Sequence, residues 1–335
     1  MRPLLALVAV CAGCQRAAEL QFVPSEQVTQ LSEPLQKTVA DQLTHYCGTP
    51  TNPKLLGDDS ASREHLQHGA AVYQKRCVAC HGVTGDGAGP AAEYLYPRPR
   101  DYRRGFFKFS STPFGAKPRR EDLLRTVRRG AKGTSMPSFA LLPDEDIQAV
   151  VDYVLALTHR GELEVLLALE AETEDEIAPQ RVPELVKEIT DQWQKASTQV
   201  VLPVTKMPPY TPETVELGKQ AFLSEVAGCV KCHGPDGRAA ITENVEEFKD
   251  VWGHQTRAAD LTSGMFHGGD RPDDIYRRIY AGINGTPMPS FDQKLSAQPE
   301  TFWHLVHYVK FVSSERRRAV VEQAKEQGLP HASGN

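Results

Sequence analysis

The sequence predicts a helical protein built from two copies of one domain, and three observations predict it. A set of residues recurs along the chain at an offset of 152 positions. The segments flanking the recurring residues carry apolar side chains at helical spacing. The length, 335 residues, suffices for two domains that each bury a core. Composition adds an exclusion: 40% apolar residues, 24% charged residues and a net charge of −5 describe an ordinary globular chain, not a nucleic-acid binder.

In chain order, residues 1–14 place Arg2 before a short apolar run that ends in Ala12-Gly13-Cys14. The run is too short to span a bilayer, and one positive charge, an apolar stretch and small residues before a cut read as an export signal. It resembles a bacterial lipoprotein signal, with Cys11 standing where that pattern prefers Leu or Val. The resemblance implies a lipidated Cys14, a periplasmic-side location and membrane attachment at this end. Residues 15–62 read as an N-terminal arm, a tether or docking segment with a helix near 32–42 and turns at 46–50 and 52–53.

The chemistry is carried by Cys77-Val78-Ala79-Cys80-His81 and Cys229-Val230-Lys231-Cys232-His233. CxxCH is the attachment pattern for haem c. Two thiols on one helical turn add to the two vinyl groups of the haem, and the next imidazole then lies under the iron. Zinc is the first alternative, but the two pairs stand far apart in a repeated frame. A thioredoxin-like CxxC wants a strand before it and needs no histidine. Cys47 is left alone in the mature chain.

The repeat extends well beyond these motifs. Asp122, Arg125, Gly130, Gly133 and Thr134 fall on Asp274, Arg277, Gly282, Gly285 and Thr286, and Met136-Pro137-Ser138-Phe139 falls on Met288-Pro289-Ser290-Phe291. The histidine-to-methionine distance is 55 residues in both copies. Between these anchors the offset grows to 159, matching Arg98, Asp101 and Phe107 to Arg257, Asp260 and Phe266. It returns to 152 because the first copy has seven extra residues around 110–120. Insertions that cancel mark a duplicated domain. Before each CxxCH lies an amphipathic helix with Gly69 and Tyr73, or Gly218 and Phe222. After each Met-Pro loop a second helix follows, about 143–158 with Val150, Tyr153 and Val154, and about 299–314 with Phe302, Val306 and Tyr308.

Two helices meeting at a glycine–aromatic contact, with CxxCH after the first and methionine before the second, resemble a tandem, dihaem class I cytochrome c. The resemblance implies two all-α domains at 63–160 and 208–318, joined by an acidic linker at 161–207 that its leucines make partly helical, and followed by a tail at 319–335. It implies His81 with Met136, and His233 with Met288, as axial iron ligands. Methionine is often mere core filler, but the equal spacing and the following proline, which fixes a loop, favour the ligand role. His254 and His267 are the first alternatives at the second iron. His/Met ligation favours ferrous iron, and a fully coordinated iron leaves no place for a small-molecule substrate.

The family pattern also implies a proline carbonyl as hydrogen-bond partner of the axial histidine; Pro90 suits the first copy, and the second has no proline at the matching place. Arg98 and Arg257 are candidate partners for haem propionates, and Trp252 is a candidate to pack on the porphyrin. Residues 97–133 hold twelve Lys/Arg against three acids, a candidate docking surface for an acidic redox partner; packing of the acidic linker 161–191, ten acids against two bases, is the competing use. The expected function is one-electron transfer, as a shuttle or as a subunit of a respiratory membrane complex, and not catalysis. The alternative from another class is a dihaem cytochrome c peroxidase, which needs an iron with a releasable site and a nearby acid or base.

Overall fold

The computed structural model describes residues 20–58, 62–239 and 248–326, with side chains of the last helix described as far as residue 315. The export signal and Cys14 lie outside the described residues. The fold is all-α: among the described residues the only paired strands are the two-residue β1 (Gly48–Thr49) and β2 (Asn52–Pro53), which close an antiparallel turn. Among the described residues no helix is long and apolar enough to cross a membrane.

The first half begins at Ser62, whose hydroxyl accepts a bond from the His65 backbone and so caps helix α3 (Arg63–Arg76). Below, α1 and α2 denote Glu26–Thr29 and Glu33–Cys47, ahead of it in the chain. The short α4 (Val78–His81) follows, then α5 (Arg120–Arg129) and the long α6 (Asp144–Glu174). The chain continues through α7 (Arg181–Thr198) into the second half: α8 (Pro212–Leu223), α9 (Val230–His233), α10 (Pro272–Ala281) and α11 (Thr301–Glu326). The pair α3/α6 is matched by α8/α11. A Cβ on Gly69 would stand 2.1 Å from the Ala149 carbonyl oxygen, and one on Gly218 would stand 1.9 Å from that of His304. Glycine is what lets each pair of backbones touch. Beside each crossing two rings pack, Tyr73 on Tyr153 at 5.2 Å and Phe222 on Tyr308 at 5.1 Å.

Two expectations change. Helix α6 does not stop near 158 but runs on to Glu174, because Leu163 and Leu167 continue its buried stripe. The N-terminal segment is not a loose tether. Val28, Val39 and Leu43 from α1 and α2 pack with Leu163 and Leu167 of α6 and Leu185 of α7 in one apolar core. Arm and linker together thus form a helical layer beside the first half. Cys47 is buried in that layer, and burial pushes its thiol up to about 12, which keeps it an unreactive apolar side chain.

The halves are joined by polar contacts through the seven-residue insertion and the helices around it. Arg278 of α10 donates to the carbonyls of Lys108, at 2.8 Å, and Ser110. Asn284 accepts from Gly115 N–H at 2.9 Å and donates to the Ala116 carbonyl at 3.3 Å. Arg129 pairs with Asp274 and Lys132 with Asp270. The basic region is therefore largely committed within the chain. Arg103, Lys117, Arg119, Arg120, Arg125, Arg128, Arg129 and Lys132 all have carboxylate partners, Lys117 with linker Glu162 among them. Among these pairs, Lys117 with Glu162 ties the region to the linker and Arg129 with Asp274 and Lys132 with Asp270 tie it to the second half, which agrees with the competing use of this charge within the chain.

Candidate functional site

Each CxxCH forms one helical turn. His81 N–H donates to the Cys77 carbonyl and His233 N–H to that of Cys229, both at 2.9 Å. The two thiols and the imidazole are thereby held on adjoining positions. After the turn the chain loops back beneath the ring. His81 Nδ1 lies 3.1 Å from the Arg100 carbonyl, and His233 Nδ1 lies 3.0 Å from the Ala259 carbonyl. Tyr102 N–H donates to Gly85 O at 3.0 Å, and Leu261 N–H to Gly237 O at 2.8 Å. These equivalences, Arg100 with Ala259 and Tyr102 with Leu261, follow the 159-residue offset of the sequence repeat.

Pro90 is consequently not the partner of His81. It is exposed, and the backbone carbonyl that reaches the ring comes ten positions later, from a loop pinned by Tyr102. Nor does the missing proline leave His233 unsupported, since the equivalent carbonyl serves it. Bonding through Nδ1–H leaves Nε2 as the free lone pair. Burial lowers the pKa of both imidazoles, keeping them in the neutral form that ligates metals.

The methionine loops share their principal bonds. Gly130 and Gly282, at φ 67° each, lead out of α5 and α10 and press against Pro137 and Pro289. Ala131 N–H donates to Met136 O at 3.2 Å and Ile283 N–H to Met288 O at 3.1 Å. Thr134 and Thr286 hydroxyls donate to Ala131 O and Ile283 O, both at 2.8 Å. Ser138 and Ser290 hydroxyls donate back to the preceding helix, to Arg128 O and Tyr280 O. Every side chain of the Gly-Thr-x-Met-Pro-Ser signature that this frame uses has a counterpart in the other copy.

In the first half these pieces wall one cavity. Cys77, Cys80 and His81 line it together with Met136, and the remaining wall is mostly apolar. With its open mouth included, the empty space it encloses is about 1520 Å³. Cations also border it. Burial lowers Arg100 to about 10 and Lys108 to about 8, with Asp250 opposing the shift in each case. An apolar slot bounded by thiols, imidazole and thioether, with desolvated cations at its rim, fits a flat hydrophobic group carrying anionic substituents, as haem does.

The remaining sequence candidates fall as follows. Arg98 is exposed and lines the cavity, whereas Arg257 is exposed in the second half. Trp252 is drawn toward the junction: its ring lies 3.8 Å from the Arg100 guanidinium and edge-on to Phe106, and it lies close over Gly285. Its indole N–H is buried without a hydrogen-bond partner. Arg100, Lys108 and His267, which sequence reasoning did not place at the first site, are among the cavity's residues. Arg100 aligns with Ala259, so a search for repeated side chains passes over it.

Comparison with known proteins agrees with this geometry. The family model for cytochrome c oxidase, cbb3-type, subunit III matches residues 64–154. A chain of the reducing HAO-like protein complex of Kuenenia stuttgartiensis matches in structure with a TM-score of 0.58 and 31% identity, over 73% of this chain and 96% of that one. No curated protein matches the sequence. With the CxxCH turn, its carbonyl-bound histidine and these two likenesses in hand, the chain belongs to the c-type cytochromes, whose characteristic group is covalently bound haem c.

Proposed function

We propose that the protein is an exported dihaem c-type cytochrome that passes single electrons, as a carrier or as the electron-transfer subunit of a respiratory membrane complex. One haem is held by Cys77 and Cys80 with His81 and Met136 on its iron, the other by Cys229 and Cys232 with His233 and Met288. The observation that carries the reading is the duplication of the methionine loop, with the same principal bonds, at an equal sequence distance from each histidine. When bound, haem supplies a one-electron iron couple. The chain's own residues orient the imidazole through the Arg100 and Ala259 carbonyls, fix each thioether in a proline-bounded loop, and exclude water with apolar walls. Both irons are thereby closed to small molecules, which separates a carrier from a peroxidase. Similarity to a subunit of a redox protein complex supports a protein partner for electron exchange. Attachment through a lipidated Cys14 is part of the same proposal.

Optical and EPR spectra of the purified protein test it. Two low-spin haems with the weak near-infrared sulfur-to-iron band are expected. Resting high-spin haem together with peroxide turnover would overturn the carrier reading in favour of the peroxidase. Met136→His and Met288→His, made singly, should each lower the potential of one haem only, by a sizeable part of the ~0.8 V over which axial ligands tune haem iron.

A further inference from the structure

Segment 265–270 of the second half lies against the first half's cavity. His267 lines that cavity although its own CxxCH belongs to the other copy. Its Nε2 lies 3.4 Å from where a Cβ on Gly133 would stand, beside the methionine loop of the first copy. On the other side Gly268 packs on Phe109, whose ring a Cβ would meet at 2.8 Å. The segment is clamped there by Lys132 on Asp270, and the neighbouring α10 by Arg129 on Asp274 and Arg278 on the Lys108 carbonyl. Burial and the nearby Lys108 lower the pKa of His267, so it presents a neutral ring with one N–H donor.

Resting on the dihaem reading above, we infer that His267 is a haem-contacting residue of the first centre, donating a hydrogen bond to the carboxylate edge of that haem, so that the second half completes the site of the first. The chemistry is that of the rim. Lys108 and Arg100 already bring positive charge to an apolar slot, and an imidazole N–H beside them adds a donor where anionic substituents would be desolvated. A donor at that edge draws negative charge away from the iron and favours its reduced state.

The experiment is redox titration of the full-length protein, with the first centre identified as the one that Met136→His shifts. His267→Ala should keep two low-spin haems and lower the potential of the first centre alone. His267→Gln, which retains an N–H donor, should restore most of the loss, and His267→Leu should reproduce it without opening a void at the junction. His254→Ala, at an exposed histidine of the same half, should move neither centre. A shift confined to the second centre, no shift in any His267 variant, or loss of the low-spin signal at the first centre would each overturn the inference. Wild-type protein carrying one haem by mass would instead overturn the dihaem reading beneath it.

Discussion

Around His81 the packing is polar. The Tyr73 hydroxyl donates to the Gly82 carbonyl at 2.9 Å and meets the Tyr102 hydroxyl at 2.6 Å, and the Tyr102 ring lies 5.3 Å from the imidazole. Around His233 the matching positions are Phe222 and Leu261, with no hydroxyl at either. The first half is also flanked by the arm-and-linker layer and capped by residues of the second half, and its buried rim holds Arg100 where the second has Ala259. Yet the histidine carbonyl and the methionine loop are the same in both. The comparison teaches that duplication preserved the backbone frame around each CxxCH histidine and methionine loop and let the surroundings diverge, which is how one fold offers two different environments.

The largest expected effect comes from breaking one copy at a time. Cys77→Ser with Cys80→Ser, and separately Cys229→Ser with Cys232→Ser, should each leave one covalent haem by mass spectrometry. The first variant should lose more thermal stability, because Arg100 and Lys108 are left buried beside an unfilled apolar slot. Equal losses would contradict the asymmetry. Next, Gly69→Ala and Gly218→Ala should both destabilise by about 1–3 kcal/mol in denaturant titration, since each Cβ would meet backbone that cannot turn aside. A neutral result at either position would show that its helix pair can separate.

A smaller change converts one environment toward the other. Tyr73→Phe imitates Phe222 and should cost about 1 kcal/mol, with part of it regained in the Tyr73→Phe, Tyr102→Phe double variant once no hydroxyl is left unpaired. Full additivity of the two single changes would argue that the hydroxyls do not act together. Smallest is Lys132→Ala at the junction. Its pair with Asp270 is about half exposed on both sides, so the loss should stay below about 1 kcal/mol and fade as salt is added. A larger, salt-independent loss would make this contact a principal tie between the halves.

Much of the site was legible because covalent chemistry fixes spacing. CxxCH needs its thiols on one turn, and the methionine recurs at one distance from each histidine. Even the balanced seven-residue insertion located matched carbonyls, since Arg100 and Ala259 stand at the predicted offset. Pro90 was misplaced because a carbonyl donated by a loop has no side-chain signature. The helical start of the acidic linker was legible in its leucines, but its fusion with the preceding helix into one α6 was not, because nothing local shows Leu163 and Leu167 continuing the same buried stripe. The part of the basic region that is tied up by Glu162, Asp152, Asp270 and Asp274 could not be read, because these carboxylates lie far away in the chain.

By itself, then, the sequence determined the class of cofactor and the helical repeat, because both are written in local spacing that any fold must respect. Only the tertiary structure decided that the two copies are not independent. Arg100 on Trp252, Arg278 on the Lys108 carbonyl and His267 at the first cavity each join residues more than a hundred positions apart. No periodicity records such contacts. They arise where two folded surfaces meet, and there charge and shape are matched across space rather than along the chain.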